Sequence, residues 1–152
     1  MSATKSDLPL WQTVELIARE KVGRVCIVDN GYPLAFPVNY RFVQDGDGMH
    51  IVFRAAPTSA LARYEGLASF EVDDIDAGRG VAWSVIARGA VRRVVGEHQL
   101  QDPLPALSGR HQWMLLRVTA MSGRRFTGTP NPNSYSVAWQ LDDPNPDATP
   151  VT

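Results

Sequence analysis

Apolar residues near the start of the chain recur with the period of an α-helix, at positions i, i+1, i+4, i+7 and i+8. This pattern predicts a helix that starts near Pro9, is capped by Asp7 and ends near Lys21. Gly23 follows, and from there the spacing of apolar residues changes. The predicted buried face of the helix is formed by Leu10, Trp11, Val14, Ile17 and Ala18.

The remainder of the chain alternates apolar and polar residues with a period of two, which is typical of β-strands. Asn30-Gly31 separates the first two runs and tolerates the positive φ angles of a tight hairpin turn. Gly89, in the middle of the longest run, predicts a bulge or a sharp bend. The predicted strands are Arg24–Asp29, Leu34–Val43, Met49–Arg54, Leu67–Asp73, Val81–Val95, Trp113–Met121 and Arg124–Gly128.

Several short strands behind one leading helix predict a mainly β fold, an antiparallel barrel or sandwich. The long helices that a Rossmann fold places between its strands are absent from the pattern. We assign residues 1–128 to this domain. Residues 129–152 contain five of the eleven prolines and are predicted to form an extended tail.

Composition excludes several classes of protein. The chain has 152 residues, 44% of them hydrophobic, which suits one globular domain. Its 15 basic and 16 acidic residues argue against binding to nucleic acid or to a membrane surface. One cysteine excludes a disulfide framework, and His50, His98 and His111 lack metal-ligand spacing, so no metal site is predicted. Without a long apolar run or a signal-peptide core, a soluble cytoplasmic protein is expected.

The segment from Phe36 to Tyr40 is a candidate binding surface. Pro37 removes a hydrogen-bond donor from an otherwise good strand, so this stretch cannot be fully paired there. Accessible backbone beside Asn39 and Tyr40 could read the polar edge of a flat heteroaromatic ring. The alternative is an ordinary edge strand with a bulge.

Two further segments could contact a ligand. Thr58 and Ser59 open a predicted helical turn that extends to about Glu65, and with Arg54 or Arg63 they could cradle a phosphate. The alternative for these hydroxyls is N-capping. On the longest predicted strand, Trp83 could stack on a ring and Ser84 could donate to it, although the alternation also fits a Trp83 in the core.

Taken in order, these segments resemble the flavin-binding split-barrel superfamily of pyridoxamine 5′-phosphate oxidase-like proteins, and most of all its nitroimidazole-resistance-like branch. The resemblance covers about Leu10 to Phe126. The residues that carry it are Gly23-Arg24-Val25, Tyr32 to Tyr40, Ile51 to Arg54, Pro57-Thr58-Ser59, Phe70 to Asp73, Trp83-Ser84-Val85 and Gly89.

This resemblance implies a six-stranded antiparallel split β-barrel with short connecting helices, and a homodimer with two FMN molecules at the subunit interface. It implies an FMN-dependent oxidoreductase for a small organic substrate. The flavin would carry the chemistry, so no catalytic side chain is assigned. By this resemblance, the residues that would line the isoalloxazine are Pro37, Val38, Asn39 and Tyr40. Those near the phosphate would be Arg54, Thr58, Ser59 and Arg63, and those close to the ring would be Trp83 and Ser84.

One position departs from the pattern of the superfamily. Many relatives have a lysine directly after the serine of the phosphate turn, where this chain has Ala60. Ala60 therefore keeps alternatives open: a non-catalytic carrier of flavin, deazaflavin coenzyme or haem, or a degenerate barrel that acts as a dimeric binding module.

The distribution of tryptophans adds an expectation about assembly. Trp11, Trp113 and Trp139 lie outside the central predicted strands, and Trp139 belongs to an amphipathic patch, Tyr135–Trp139, in the tail. We expect a two-fold dimer that buries about 2,000 Å² or more, with this patch packed on the partner near the flavin.

Overall fold

The computed structural model describes residues 4–95 and 111–129, which form one helix and seven strands. The predicted irregular segment Glu97–His111 lies almost wholly outside these residues, and so does the patch Tyr135–Trp139. The elements are β1 (Thr4–Asp7), α1 (Leu10–Arg19), β2 (Val22–Asp29), β3 (Tyr32–Asp45), β4 (Gly48–Ala55), a 3₁₀ turn (Leu61–Arg63), β5 (Gly66–Asp76), β6 (Val81–Arg93) and β7 (Gln112–Thr127).

The strands form one antiparallel sheet that closes on itself. Their order is β1-β7-β4-β3-β2-β5-β6, and β6 also pairs with β7, so β2 to β7 make a six-stranded barrel. This confirms the predicted mainly β, antiparallel barrel. Strand β1, which the sequence did not predict, is fully exposed and is held by its pairing with Arg124–Thr127 of β7.

Both local features that the sequence predicted at glycines, a hairpin turn and a β-bulge, are present. Asn30 and Gly31 have φ angles of 49° and 80°, which are the values that a tight β2–β3 hairpin requires. In β6 the register against β7 shifts between Arg88 and Gly89, which confirms a bulge. A Cβ atom on Gly89 would lie 1.8 Å from the carbonyl oxygen of Arg117, so only glycine fits there.

The predicted cap and buried face of the helix were wrong in part. Pro9 is the N-cap residue, and Asp7 instead lies in β1. Leu10 and Trp11 are 58% and 67% exposed. The helix instead buries Thr13, Leu16 and Ile17. Thr13 is tolerated in the core because its hydroxyl donates a hydrogen bond to the Pro9 carbonyl.

Two further boundaries differ from the predictions. The helical turn expected up to Glu65 is a single 3₁₀ turn, Leu61–Arg63. Strand β6 ends at Arg93, so Val95 does not share its buried face and is 86% exposed. In addition, the two predicted strands Trp113–Met121 and Arg124–Gly128 form one continuous strand, β7, which ends at Thr127.

The barrel closes where β2 meets β5. Only Arg24–Cys26 of β2 pair with β5, against Ser69–Glu71. Inside the barrel, a Cβ atom on Gly23 would lie 2.3 Å from the Phe70 ring, so glycine permits this close approach. On the outside, the Arg24 guanidinium donates to Glu71 and to Asp73 at 2.6 Å each.

The interior of the barrel is apolar. Leu16 and Ile17 of α1 belong to one buried cluster that contains side chains from all six barrel strands, among them Phe53, Phe70 and Met114. In the described part of the chain, no helix has the length and apolar character needed to cross a membrane.

Replacing Gly89 with alanine should destabilise the barrel by at least about 2 kcal/mol, because the new methyl group would overlap the β7 backbone. Urea unfolding measures this change. The control is Gly46→Ala, where no atom lies within 4 Å of the added Cβ and stability should change by less than about 0.5 kcal/mol. Equal stability of the two variants would contradict this account of the bulge.

Candidate functional site

Strand β3 changes partner along its length, which leaves one of its edges open. Tyr32–Asn39 pair with β2, and Tyr40–Asp45 pair with β4. The last residue pair between β3 and β4 is Tyr40 with Phe53. Beyond it the two strands part, with Asn39 on one side and Arg54 on the other; we call this place the β3–β4 fork.

The prolines of β3 fit this open edge. The Tyr40 amide donates to the Lys21 carbonyl at 3.0 Å. Because hydrogen-bonded residues alternate in an antiparallel pair, the amide positions 33, 35, 37 and 39 face away from β2. Pro33 and Pro37 therefore occupy positions where β2 requires no N–H group. The expectation that this stretch is not fully paired is confirmed, whereas its register with β2 is continuous and lacks the bulge of the alternative. The open edge presents the N–H groups of residues 35 and 39.

The side chains of the predicted flavin segment alternate between the two faces of β3. Pro37 and Asn39 are exposed, whereas Val38 and Tyr40 are buried in the barrel. Asn39 is thus the polar side chain of this segment that reaches the surface at the fork.

The Tyr40 side chain makes a hydrogen bond and an aromatic contact within the core. Its hydroxyl donates to the carbonyl of Ile17, one of the C-terminal carbonyls of α1 that have no partner within the helix. Its ring meets the ring of Phe70 edge to face, with centroids 4.6 Å apart. Burial raises the pKa of Tyr40 above its ordinary value, so the hydroxyl stays protonated.

The predicted phosphate turn is built around Ser59. Its hydroxyl donates to the Ala56 carbonyl at 2.7 Å and accepts from the Ala62 amide at 3.2 Å, which is the capping interaction. Arg63 donates to the Thr58 carbonyl at 3.3 Å. A 3₁₀ turn of three residues offers few aligned amides, so any anion bound here would depend on side chains.

Arg54 brings positive charge to the fork. It is half-buried at the end of β4, and its guanidinium lies 5.3 Å from the centroid of the Trp113 ring. The cation–π contact directs the guanidinium toward β7, where Trp113 is the cross-strand partner of Arg54. Asn39 and Arg54 flank the fork, and Thr58, Ser59 and Arg63 belong to the turn that follows β4.

Trp83 and Ser84 occupy a different part of the barrel. Trp83 is 7% exposed in the core, where the Arg19 guanidinium lies 5.9 Å from its ring centroid. Ser84 faces outward and is paired with Arg124 of β7, whereas Arg54 is paired with Trp113 of the same strand. Eleven residues of β7 separate these positions, roughly 36 Å along the strand. Whether both groups contact a flavin stays a prediction.

Sequence reasoning singled out Ser84 but missed the residues that surround it on the outer face, most of which are polar. Ser69, Ser84, Ile86, Arg88, Ser122 and Arg124 line a cavity of about 400 Å³ across β5, β6 and β7. Their outward positions follow from the alternation in each strand. Their meeting depends on the register between strands, for which the sequence carries no local signal.

A split barrel of this topology defines a known class of protein. A family model described as pyridoxamine 5′-phosphate oxidase matches residues 12–125. The chain belongs to this family. No match is found among curated proteins.

Solved structures show the same fold. The FAD-binding protein from Mycobacterium smegmatis is 26% identical, with 81% of this chain and 99% of that one covered and a TM-score of 0.62. An FAD- and haem-binding protein from the same organism is 18% identical (89% and 80% covered, TM-score 0.61). A Bacteroides thetaiotaomicron protein, described as a candidate 5-nitroimidazole antibiotic resistance protein, is 15% identical (83% and 90%, 0.61). These likenesses confirm the resemblance drawn from the sequence.

Replacing Tyr40 with phenylalanine should lower the free energy of unfolding by about 1–3 kcal/mol, because the buried Ile17 carbonyl loses its donor. Thermal or urea unfolding measures the change. In the control, Tyr64→Phe, the hydroxyl lost donates to the Leu67 carbonyl at an exposed site, where water can replace it. The Tyr40 assignment fails if the two variants lose the same stability.

Proposed function

We propose that this protein binds FMN at the β3–β4 fork and uses it to oxidise or reduce a small organic molecule. The observation that carries the proposal is the open edge of β3, which begins at the fork between Asn39 and Arg54, with Arg63 in the turn that follows β4. Membership of the pyridoxamine 5′-phosphate oxidase family and the similarity to a protein named as FAD-binding support a flavin as the ligand.

The residues at the fork fit the two ends of FMN. The edge of an isoalloxazine ring carries donors and acceptors, which the open backbone of β3 and the Asn39 amide can complement. The phosphate requires positive charge and donors, which Arg54, Arg63 and the exposed Thr58 can supply. Each end of the molecule therefore has a matching group of side chains.

Bound flavin would supply the hydride or electron transfer. The protein's part is to bind and orient the ring: rigid β3 backbone fixes its edge, and the arginines fix the phosphate. We accordingly assign no proton transfer to a side chain.

Dimerisation would account for the second group of residues predicted to contact the flavin, Trp83 and Ser84. Ser84 lies far along the wall from the fork of its own chain. We propose that the protein is a two-fold homodimer in which Ser84 of the partner subunit approaches the flavin. The exposed Leu10 and Trp11 on α1 are consistent with a surface that another copy covers.

The phosphate assignment is tested by comparing FMN with riboflavin. FMN should bind at least about tenfold more tightly, since a charged hydrogen bond contributes roughly 1.5–3 kcal/mol. Ala60→Lys should tighten FMN binding about tenfold and leave riboflavin unchanged. The control, Gln44→Lys, adds the same charge at an exposed position away from the turn. Equal affinity for FMN and riboflavin would mean that the turn has only a structural role.

A non-catalytic carrier is the second candidate function. It is favoured by Ala60, which provides no cation, and by the Ser59 hydroxyl, which already bonds to two backbone groups. The visible spectrum of the purified protein separates flavin, deazaflavin and haem. If flavin is bound, anaerobic reduction followed by a small nitroaromatic acceptor distinguishes the roles: an oxidoreductase reoxidises faster than free reduced FMN, and a carrier more slowly.

The proposed role of the tail can be tested by truncation. A chain ending at Gly128 should self-associate more weakly and bind FMN more weakly, as measured by light scattering and flavin titration. The control ends at Asp143 and keeps the patch Tyr135–Trp139, so both properties should be retained. A chain ending at Gly128 that stays dimeric and binds FMN unchanged would exclude the tail from both.

A further inference from the structure

The outer wall of the barrel has a gap between β2 and β5. Past the pair Cys26–Ser69, the two strands continue without pairing to each other. An open cavity of about 340 Å³ lies there, lined by Cys26, Val28, Pro33, Leu67 and Thr119 among others, with Gly89 of β6. We call this cavity the β2–β5 wedge.

The wedge is an apolar surface that gains from being covered. Leu67 is 81% exposed and Val28 is 59% exposed, and they extend from the two strands that part. Apolar side chains that are this exposed favour contact with an apolar ligand. A volume of this size accommodates a small aromatic or aliphatic body.

A cationic cavity adjoins the wedge. Ser69 and Arg88 line both the wedge and the cavity of about 400 Å³ that contains Ser122 and Arg124. Ser69 and Arg88 are cross-strand partners, so the two cavities meet at one row of the sheet. The outer wall thus carries a continuous surface that is apolar at one end and basic at the other.

The two arginines are available for an anion. Within residues 4–95 and 111–129, neither the Arg88 nor the Arg124 guanidinium makes an ion pair or a hydrogen bond. The nearby acids of β5, Glu71 and Asp73, both bind Arg24 instead. Asp7 is the cross-strand neighbour of Arg124 on β1, without an ion pair between them.

We propose that this surface binds an amphipathic organic anion, with its apolar body in the β2–β5 wedge and its carboxylate or phosphate between Arg88 and Arg124. The serine hydroxyls beside the arginines add donors for the anion. This site goes beyond the proposed flavin function, because of the residues predicted for the flavin only Ser84 lines it.

The test is a calorimetric titration of the full chain, saturated with FMN, with three probes of similar shape. 1-Naphthyl phosphate and 1-naphthoate carry the two anionic groups, and 1-naphthol is neutral. At least one anion should bind about tenfold or more tightly than naphthol, and the tighter anion identifies the headgroup.

Variants assign the affinity to the two ends of the site. Arg88→Gln and Arg124→Gln should each weaken the preferred anion about tenfold and leave naphthol unchanged. Leu67→Ala should weaken all three probes. The matched control is Arg92→Gln, which removes the same charge from an exposed position of β6 outside both cavities and should change nothing.

The Cys26 thiol gives a second readout. Cys26 lines the wedge, and burial raises the pKa of its thiol, so alkylation is followed at alkaline pH. A probe in the wedge should slow alkylation. Protection without any probe that increases with protein concentration would show that a second copy covers the wedge, which would overturn the proposal.

The remaining outcomes also decide between proposals. Naphthol binding as tightly as the anions, or Arg92→Gln acting like Arg88→Gln, would overturn this site. A probe that binds the FMN-free chain but not the FMN-saturated chain would assign these residues to the flavin site and overturn this inference. If FMN fails to bind but the anion and its variants behave as expected, the flavin proposal fails and this inference stands.

Discussion

The short junction between β2 and β5 is the constraint on which the barrel depends. Three residue pairs join the strands, so the backbone ladder alone provides little at this point. Side chains on both faces complete it: inside, Gly23 lets the Phe70 ring approach the backbone of β2, and outside, Arg24 bonds to Glu71 and Asp73. Without this junction β2 would have no neighbour on the β5 side, and the sheet would be open.

The ion pairs at this junction contribute to register more than to net stability. Burial raises the pKa of Glu71 above its ordinary value, and the hydrogen bond from Arg24 opposes that shift. The pair therefore offsets only part of the cost of taking the carboxylate out of water. Arg24 is 37% exposed, and ion pairs this exposed contribute about 1 kcal/mol or less. Two carboxylates on one guanidinium nevertheless favour a single alignment of the strands.

Both candidate binding surfaces arise where barrel strands part. At the β3–β4 fork, β3 loses one partner and exposes backbone and an amide; at the β2–β5 wedge, two strands diverge and expose apolar side chains. A split barrel provides such places because its strands change partners along their length. The fold itself does not determine the ligand: structural neighbours are named for FAD alone and for FAD with haem. The side chains at each parting determine what this chain binds.

The sequence by itself determined the positions of the barrel strands β2 to β7, the Asn30-Gly31 hairpin and the bulge at Gly89, because alternation and glycine conformation are local properties. The ordered segments also identified the family. Only the tertiary structure decided which strands are neighbours, since pairing and register join residues far apart in the chain. In α1, for example, the fold buries Thr13, whose hydroxyl is hydrogen-bonded, and leaves the apolar Leu10 exposed. On the outer wall, the register between β6 and β7 brings Arg88 and Arg124 to the same cavity.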